Sequence, residues 1–175
     1  MLRSKGFTLI ELMITVAILG VILGLAVPAM GDFAVRQRVS GQASELMLAL
    51  AFARSEAVKQ NREIAVLPTV NAAAGWADGW CVGPADTMPN CASENRLRNF
   101  QAKTGVTVNS NFLQTGANRL IFQRDGTCPN CVSRPFKISS TKLKLTTEDA
   151  RCIMTNSLGR ATIRKTTRDA ACPTS

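Results

Sequence analysis

The sequence predicts an α+β fold. One long N-terminal helix, membrane-spanning in its first half and packing in its second, precedes a small antiparallel β domain. Three observations predict it. Phe7 to Ala29 is a run of 23 residues with one charge, Glu11. From Val35 to Ala57 apolar residues recur at helical spacing. After Asn61 the apolar period shortens to two, with Gly, Asn, Pro and Asp between the runs.

The composition narrows the function first. The chain has 175 residues, no His, no Tyr and six Cys, and its net charge is +9. That length suits one domain plus one additional element. Without His there is no Ser-His-Asp or Cys-His nucleophile system and no His-containing zinc site. An enzyme is therefore not expected, and no cofactor or metal is implied. The positive charge favours acidic partners: nucleic acid, anionic lipid or an acidic protein face.

As a helix, the run Phe7–Ala29 is about 34 Å long, enough to cross a hydrocarbon core of ~30 Å. Arg3 and Lys5 precede it without an acid, which places the N-terminus in the cytoplasm and the remainder outside. A cleaved secretory signal fits less well, because its apolar region is usually ~7–15 residues. Glu11 is the odd residue. A carboxylate inside a span costs a few kcal/mol. It either lies near enough to the interface to reach water, or it pairs with a cation of another chain.

The octapeptide Lys5-Gly6-Phe7-Thr8-Leu9-Ile10-Glu11-Leu12 resembles the class III signal of type IV pilins and type II secretion pseudopilins. The resemblance implies a membrane peptidase that cuts between Gly6 and Phe7, followed by N-methylation of Phe7. It divides the chain into a leader (1–6), a transmembrane half-helix (7–29), an amphipathic half-helix (30–60) and a periplasmic β-rich domain (61–175). It implies a single-pass protein of the bacterial inner membrane that later enters a filament with major and minor pilins. It also implies that Glu11 meets the N-terminal amine of a neighbouring subunit, which satisfies the demand that a buried charge be paired.

In the second half-helix, Pro28 and Gly31 are positions where a kink is expected. Then Val35, Val39, Ala43, Leu46, Leu50, Ala53 and Ala57 form one apolar stripe, with Arg36, Ser40, Ser44, Arg54 and Ser55 mostly off it. Residues 53–60 are similar to the end of this helix in the GspH/FimT/FimU group of minor pilins. The predicted strands are Glu63–Leu67, Gly79–Gly83, Arg96–Phe100, Val106–Val108, Asn118–Gln123, Arg134–Ser139, Lys142–Leu145, Arg151–Asn156 and Arg160–Lys165. Residues 71–75 form a loop, not a linker between domains.

All six cysteines follow the apolar run, on the oxidising side, where an even number implies disulfides. Six allow 15 connectivities. Local pairing gives Cys81–Cys91, Cys128–Cys131 and Cys152–Cys172, each contributing about 2–4 kcal/mol. Cys128-Pro129-Asn130-Cys131 has two rival readings. A redox pair opens a helix in a thioredoxin-like setting, whereas this one follows Arg124-Asp125-Gly126 and precedes a strand. A zinc site with Cys152 and Cys172 lacks a second C-x-x-C.

The C-terminus is basic. Leu158-Gly159 is a predicted turn into a strand on which Arg160, Thr162 and Arg164 share a face. The two arginines stand about 13 Å apart, and one DNA strand offers a phosphate per ~3.4 Å. Lys165 and Arg168 extend the patch. No aromatic residue interleaves them, so stacking on single strands is not supported. A solvated strand face is the simpler reading. In FimT, the member of the resembled group linked to DNA uptake, a C-terminal Gly-Arg-x-Arg motif contacts DNA. This chain matches at Gly159-Arg160 and departs at Thr162. Three roles follow: a priming or tip-associated minor pilin, a pilus receptor for double-stranded DNA, or the H-type pseudopilin of a type II secretion system.

Overall fold

The computed structural model describes residues 7–70, 75–110 and 118–173, without the side chains of 25–29. The leader, including Gly6, and loop residues 71–74 lie outside the described residues. The chain forms two units, Met1–Ala34 and Val35–Ser175.

Helix α1 spans Leu9–Gln60 as one element, continuous through positions 28 and 31. Thr8 opens it: its Oγ1 accepts the Glu11 backbone N–H at 3.3 Å. Thr8-x-x-Glu11 is thus a capping-box pattern. Asn61 closes the helix at φ 49°, a left-handed position that Asn tolerates. There the Arg62 N–H reaches the Ala57 carbonyl at 3.3 Å, satisfying one of the helix's last acceptors. Among the described residues no helix is long and apolar enough to cross a membrane. The predicted span continues through 25–29, whose side chains are not described.

Among the described residues the second unit carries eight strands in two antiparallel sheets. Strands β1 (Ile64–Pro68), β2 (Gly79–Pro84), β3 (Arg98–Gln101) and β5 (Leu120–Phe122) form the first, in the order β3-β2-β1-β5. Strands β4 (Thr107–Asn109), β6 (Phe136–Ser139), β7 (Ala150–Thr155) and β8 (Ala161–Thr166) form the second, in the order β4-β6-β7-β8. Eight of the predicted runs overlap these strands. The ninth, Lys142–Leu145, does not: residues 141–143 form a turn, closed by the Leu143 N–H on the Ser140 carbonyl at 3.1 Å. Leu143 is buried while Leu145 is half exposed. The apolar alternation of that run therefore reflects one anchoring side chain rather than a pleated face.

The helical stripe packs as its spacing predicts. Val39, Ala43, Leu46, Leu50, Ala53 and Ala57 are buried, and Val35 packs at the edge of the core. Ala49 and Gln42 join them. Gln42 accepts the Lys103 N–H at 2.7 Å through Oε1, and its amide nitrogen has no partner among the described residues. The helix residues share one core with Trp76, Trp80, Phe122 and Phe136, the largest fully buried side chains among the described residues. Trp76 stands edge-on to Phe136 at 4.7 Å.

Candidate functional site

Two surfaces carry the sequence-predicted residues. The first is the start of α1. Its large apolar side chains, Phe7 to Leu23, are open to solvent in the single chain, from 52% exposed at Ile14 to 78% at Phe7. They occur on every side of the helix, and Thr8, Glu11 and Thr15, at helical spacing, are the polar residues among them. Burying each is worth roughly 1.5–3 kcal/mol. Glu11 lies among them, exposed, and its carboxylate has no partner among the described residues.

The second surface is the β7–β8 hairpin. Its loop, Ser157-Leu158-Gly159, is closed by the Asn156 N–H on the Arg160 carbonyl at 3.1 Å and the Gly159 N–H on the Asn156 carbonyl at 3.0 Å. Gly159 has φ +72°, the left-handed third residue of this loop class. Arg124-Asp125-Gly126 forms the same kind of loop, between Gln123 and Thr127, with Gly126 at φ +80°. The two loops nest: a Cβ on Gly159 would lie 2.2 Å from the Gly126 carbonyl oxygen. The Cys128 N–H bonds the Ser157 carbonyl at 2.8 Å beside them. Gly159 in the Gly-Arg pair thus has a packing reason of its own.

Beyond the loop, Arg160, Thr162 and Arg164 line one groove of about 230 Å³ with Met154 and Pro173. Arg160 and Arg164 are exposed. Lys165 pairs with Arg151 in register and stands on the opposite face of β8. Arg168 is engaged elsewhere. It donates to the Thr141 carbonyl at 2.8 Å and the Leu143 carbonyl at 3.3 Å, and pairs with Asp169. The fold therefore brings two of the four predicted cations into one groove.

The cysteines form three disulfides, Cys81–Cys91, Cys128–Cys131 and Cys152–Cys172. The last ties the C-terminal tail to β7, and Lys137 adds a hydrogen bond to the Ala170 carbonyl. Desolvation lowers the Lys137 pKa, partly offset by Asp169. Among the described residues no cluster of metal-ligating side chains occurs.

One feature was not singled out in the sequence. Met47, Ala51, Arg54, Ser55, Val58 and Lys59 of α1 face Gly159–Ala161 across a mostly apolar groove of about 610 Å³. The available signal was Val58, an aliphatic residue off the buried stripe and 54% exposed. Arg98 forms a second unanticipated contact, with its guanidinium 4.9 Å from the Phe100 ring and 5.7 Å from that of Phe52.

Comparison with known proteins gives the family. The family model described as type II transport protein GspH matches residues 42–159. The prokaryotic N-terminal methylation motif matches residues 1–27. The chain is 44% identical over 122 residues to a fimbrial protein of Pseudomonas aeruginosa, covering 69% of this chain and 68% of the relative. It is 40% identical over 63 residues to the type II secretion system protein H of Pseudomonas aeruginosa, covering 36% and 37% of the two chains. The crystal structure of the type IV minor pilin FimU of Pseudomonas aeruginosa superimposes with a TM-score of 0.55 at 25% identity, covering 71% of this chain and 91% of that one. The chain belongs to the GspH/FimT family of minor type IV pilins and pseudopilins.

Proposed function

We propose that this subunit is held in the inner membrane by Phe7–Ala29 after cleavage between Gly6 and Phe7. It then passes into a filament of pilin helices, where it sits at or near the tip and helps to start assembly. As a pilin-family subunit it is structural, not an enzyme. The observation that carries the proposal is the exposure of the apolar side chains from Phe7 to Leu23, with unpartnered Glu11 among them. Such a surface is stable only in lipid or against other apolar helices. Glu11 opposite the methylated amine of a neighbour sets the axial register. Intact-mass measurement of the native protein tests the processing: loss of residues 1–6, one added methyl group and three disulfides are expected. Deleting the gene tests the priming role. Fewer filaments of ordinary length are expected, and an unchanged filament number would overturn it.

A second reading has its own support. Arg160 and Arg164 share one open groove, and neither guanidinium has a partner among the described residues. That arrangement suits phosphates of double-stranded DNA. Binding in a mobility-shift titration should weaken steeply with salt and fall further in the Arg160→Gln/Arg164→Gln variant. No shift at low salt removes this reading. Similarity to a type II secretion system protein H favours the pseudopilin role over a shorter stretch of chain.

A further inference from the structure

The groove between α1 and the start of β8 adjoins the one offered to DNA: Arg160 lines both, while Thr162 and Arg164 belong to the latter alone. Met47, Ala51 and Val58 give it an aliphatic lining, and Arg54, Lys59 and Arg160 stand around it. The guanidinium groups of Arg54 and Arg160 have no partner among the described residues, and the Lys59 ammonium bonds only Glu56 of its own helix turn. Val58 is 54% exposed. An apolar lining inside a cationic rim is a poor match for a phosphate backbone, whose protein interfaces are more polar and more positively charged than those between proteins. It suits an aliphatic side chain flanked by carboxylates.

A second copy of this chain is a poor source of that segment. The net charge is +9. Among the described residues, acids that already hold a cation include Glu45 with Lys103, Glu56 with Lys59, Asp86 with Arg62, Asp149 with Arg36 and Asp169 with Arg168. Two such surfaces repel. We propose that this groove seats an acidic segment bearing an aliphatic side chain, supplied by a different subunit of the same filament. The inference rests on the filament reading above and adds the partner's chemistry and its seat.

The test uses the full chain in filaments sheared from the source bacterium. A carbodiimide, which joins an amine to a carboxylate only in direct contact, is the probe, and Lys59 peptides are read by mass spectrometry. Expected is Lys59 joined to an Asp or Glu of another pilin-like chain. The yield should drop about fivefold or more in Arg54→Gln/Arg160→Gln and in Val58→Asp, which places a like charge in the lining. All three positions are exposed, so these variants keep the fold. Filaments that contain the chain but join Lys59 only to its own Glu56, to a second copy or to a protein outside the pilin family overturn the proposal alone. Absence of the chain from the filaments overturns the filament reading and this inference with it.

Discussion

Two glycines show how a residue can be legible in sequence while its reason is not. Gly126 and Gly159 are readable as turn residues from Asp125-Gly126 and Leu158-Gly159. That the two turns stack against each other is not readable, because it depends on β5 and β8 belonging to different sheets. Gly159→Ala should cost about 1–3 kcal/mol for the backbone conformation alone, before the contact with the Gly126 carbonyl is counted. A denaturant melt of the full chain in detergent checks it, and a loss below 0.5 kcal/mol, roughly the level of an ordinary surface change, would refute the nested-turn account. Asp125 organises the partner turn. Its carboxylate accepts the Thr127 hydroxyl at 2.6 Å and the Thr127 N–H at 2.9 Å. Those bonds, the hydroxyl first, hold its pKa below the ordinary carboxylate value. A depressed folded-state pKa stabilises above the unfolded pKa, and that contribution fades as pH falls through the folded one. Asp125→Asn should therefore lower the melting temperature more at pH 7 than at pH 2.5, and an equal loss at both would show that the charge is not responsible.

At the scale of elements, the helix was the most legible part because its period repeats over many turns. Six of the seven stripe residues named from spacing alone are fully buried, and Val35 is the edge. Short strands gave weaker signals. In Lys142–Leu145 two leucines two apart mimicked a strand face, yet only Leu143 is anchored. The tail was legible as basic, but Arg168 serves structure by bonding the turn at Thr141 and Leu143. The short helix Gly75–Asp78, which carries Trp76 into the core, left no periodic signal in its four residues. Two changes separate buried stripe from open face. Leu46→Ala should cost about 2–5 kcal/mol, while Leu48→Ala, half exposed two residues on, should stay within roughly 0.5 kcal/mol. Equal losses would mean the helix is not packed as described. Removing Cys152–Cys172 by a double serine change should cost about 2–4 kcal/mol and speed hydrogen exchange in residues 167–173. Unaltered exchange there would show that the tail is held by Lys137 and Arg168 without the disulfide.

At the scale of the whole molecule, stability and function draw on different parts of the chain. The second unit buries its own apolar surface, whereas Phe7 to Leu23 leaves its surface for something outside the chain. Lipid and a bundle of sister helices both satisfy that surface, so apolarity alone cannot say which is final. Glu11 discriminates between them. In hydrocarbon a carboxylate is a cost of about 2.5–3.5 kcal/mol at mid-depth and less toward the ends. In a bundle it is an asset only if a neighbour's amine stands opposite. Glu11→Val removes the cost in lipid and the asset in the filament together. The capping bond from the Glu11 backbone N–H to Thr8 survives the change, because it uses no side-chain atom of Glu11. The variant should therefore fractionate with membranes at least as well as the parent, yet fall about tenfold in sheared filaments, a deficit equivalent to ~1.4 kcal/mol. Quantitative immunoblotting of the two fractions measures both quantities. Loss from the membrane fraction would point to misfolding or degradation, and equal incorporation would show that Glu11 does not set the register. The double result is the one a helix exchanging lipid for like helices must give.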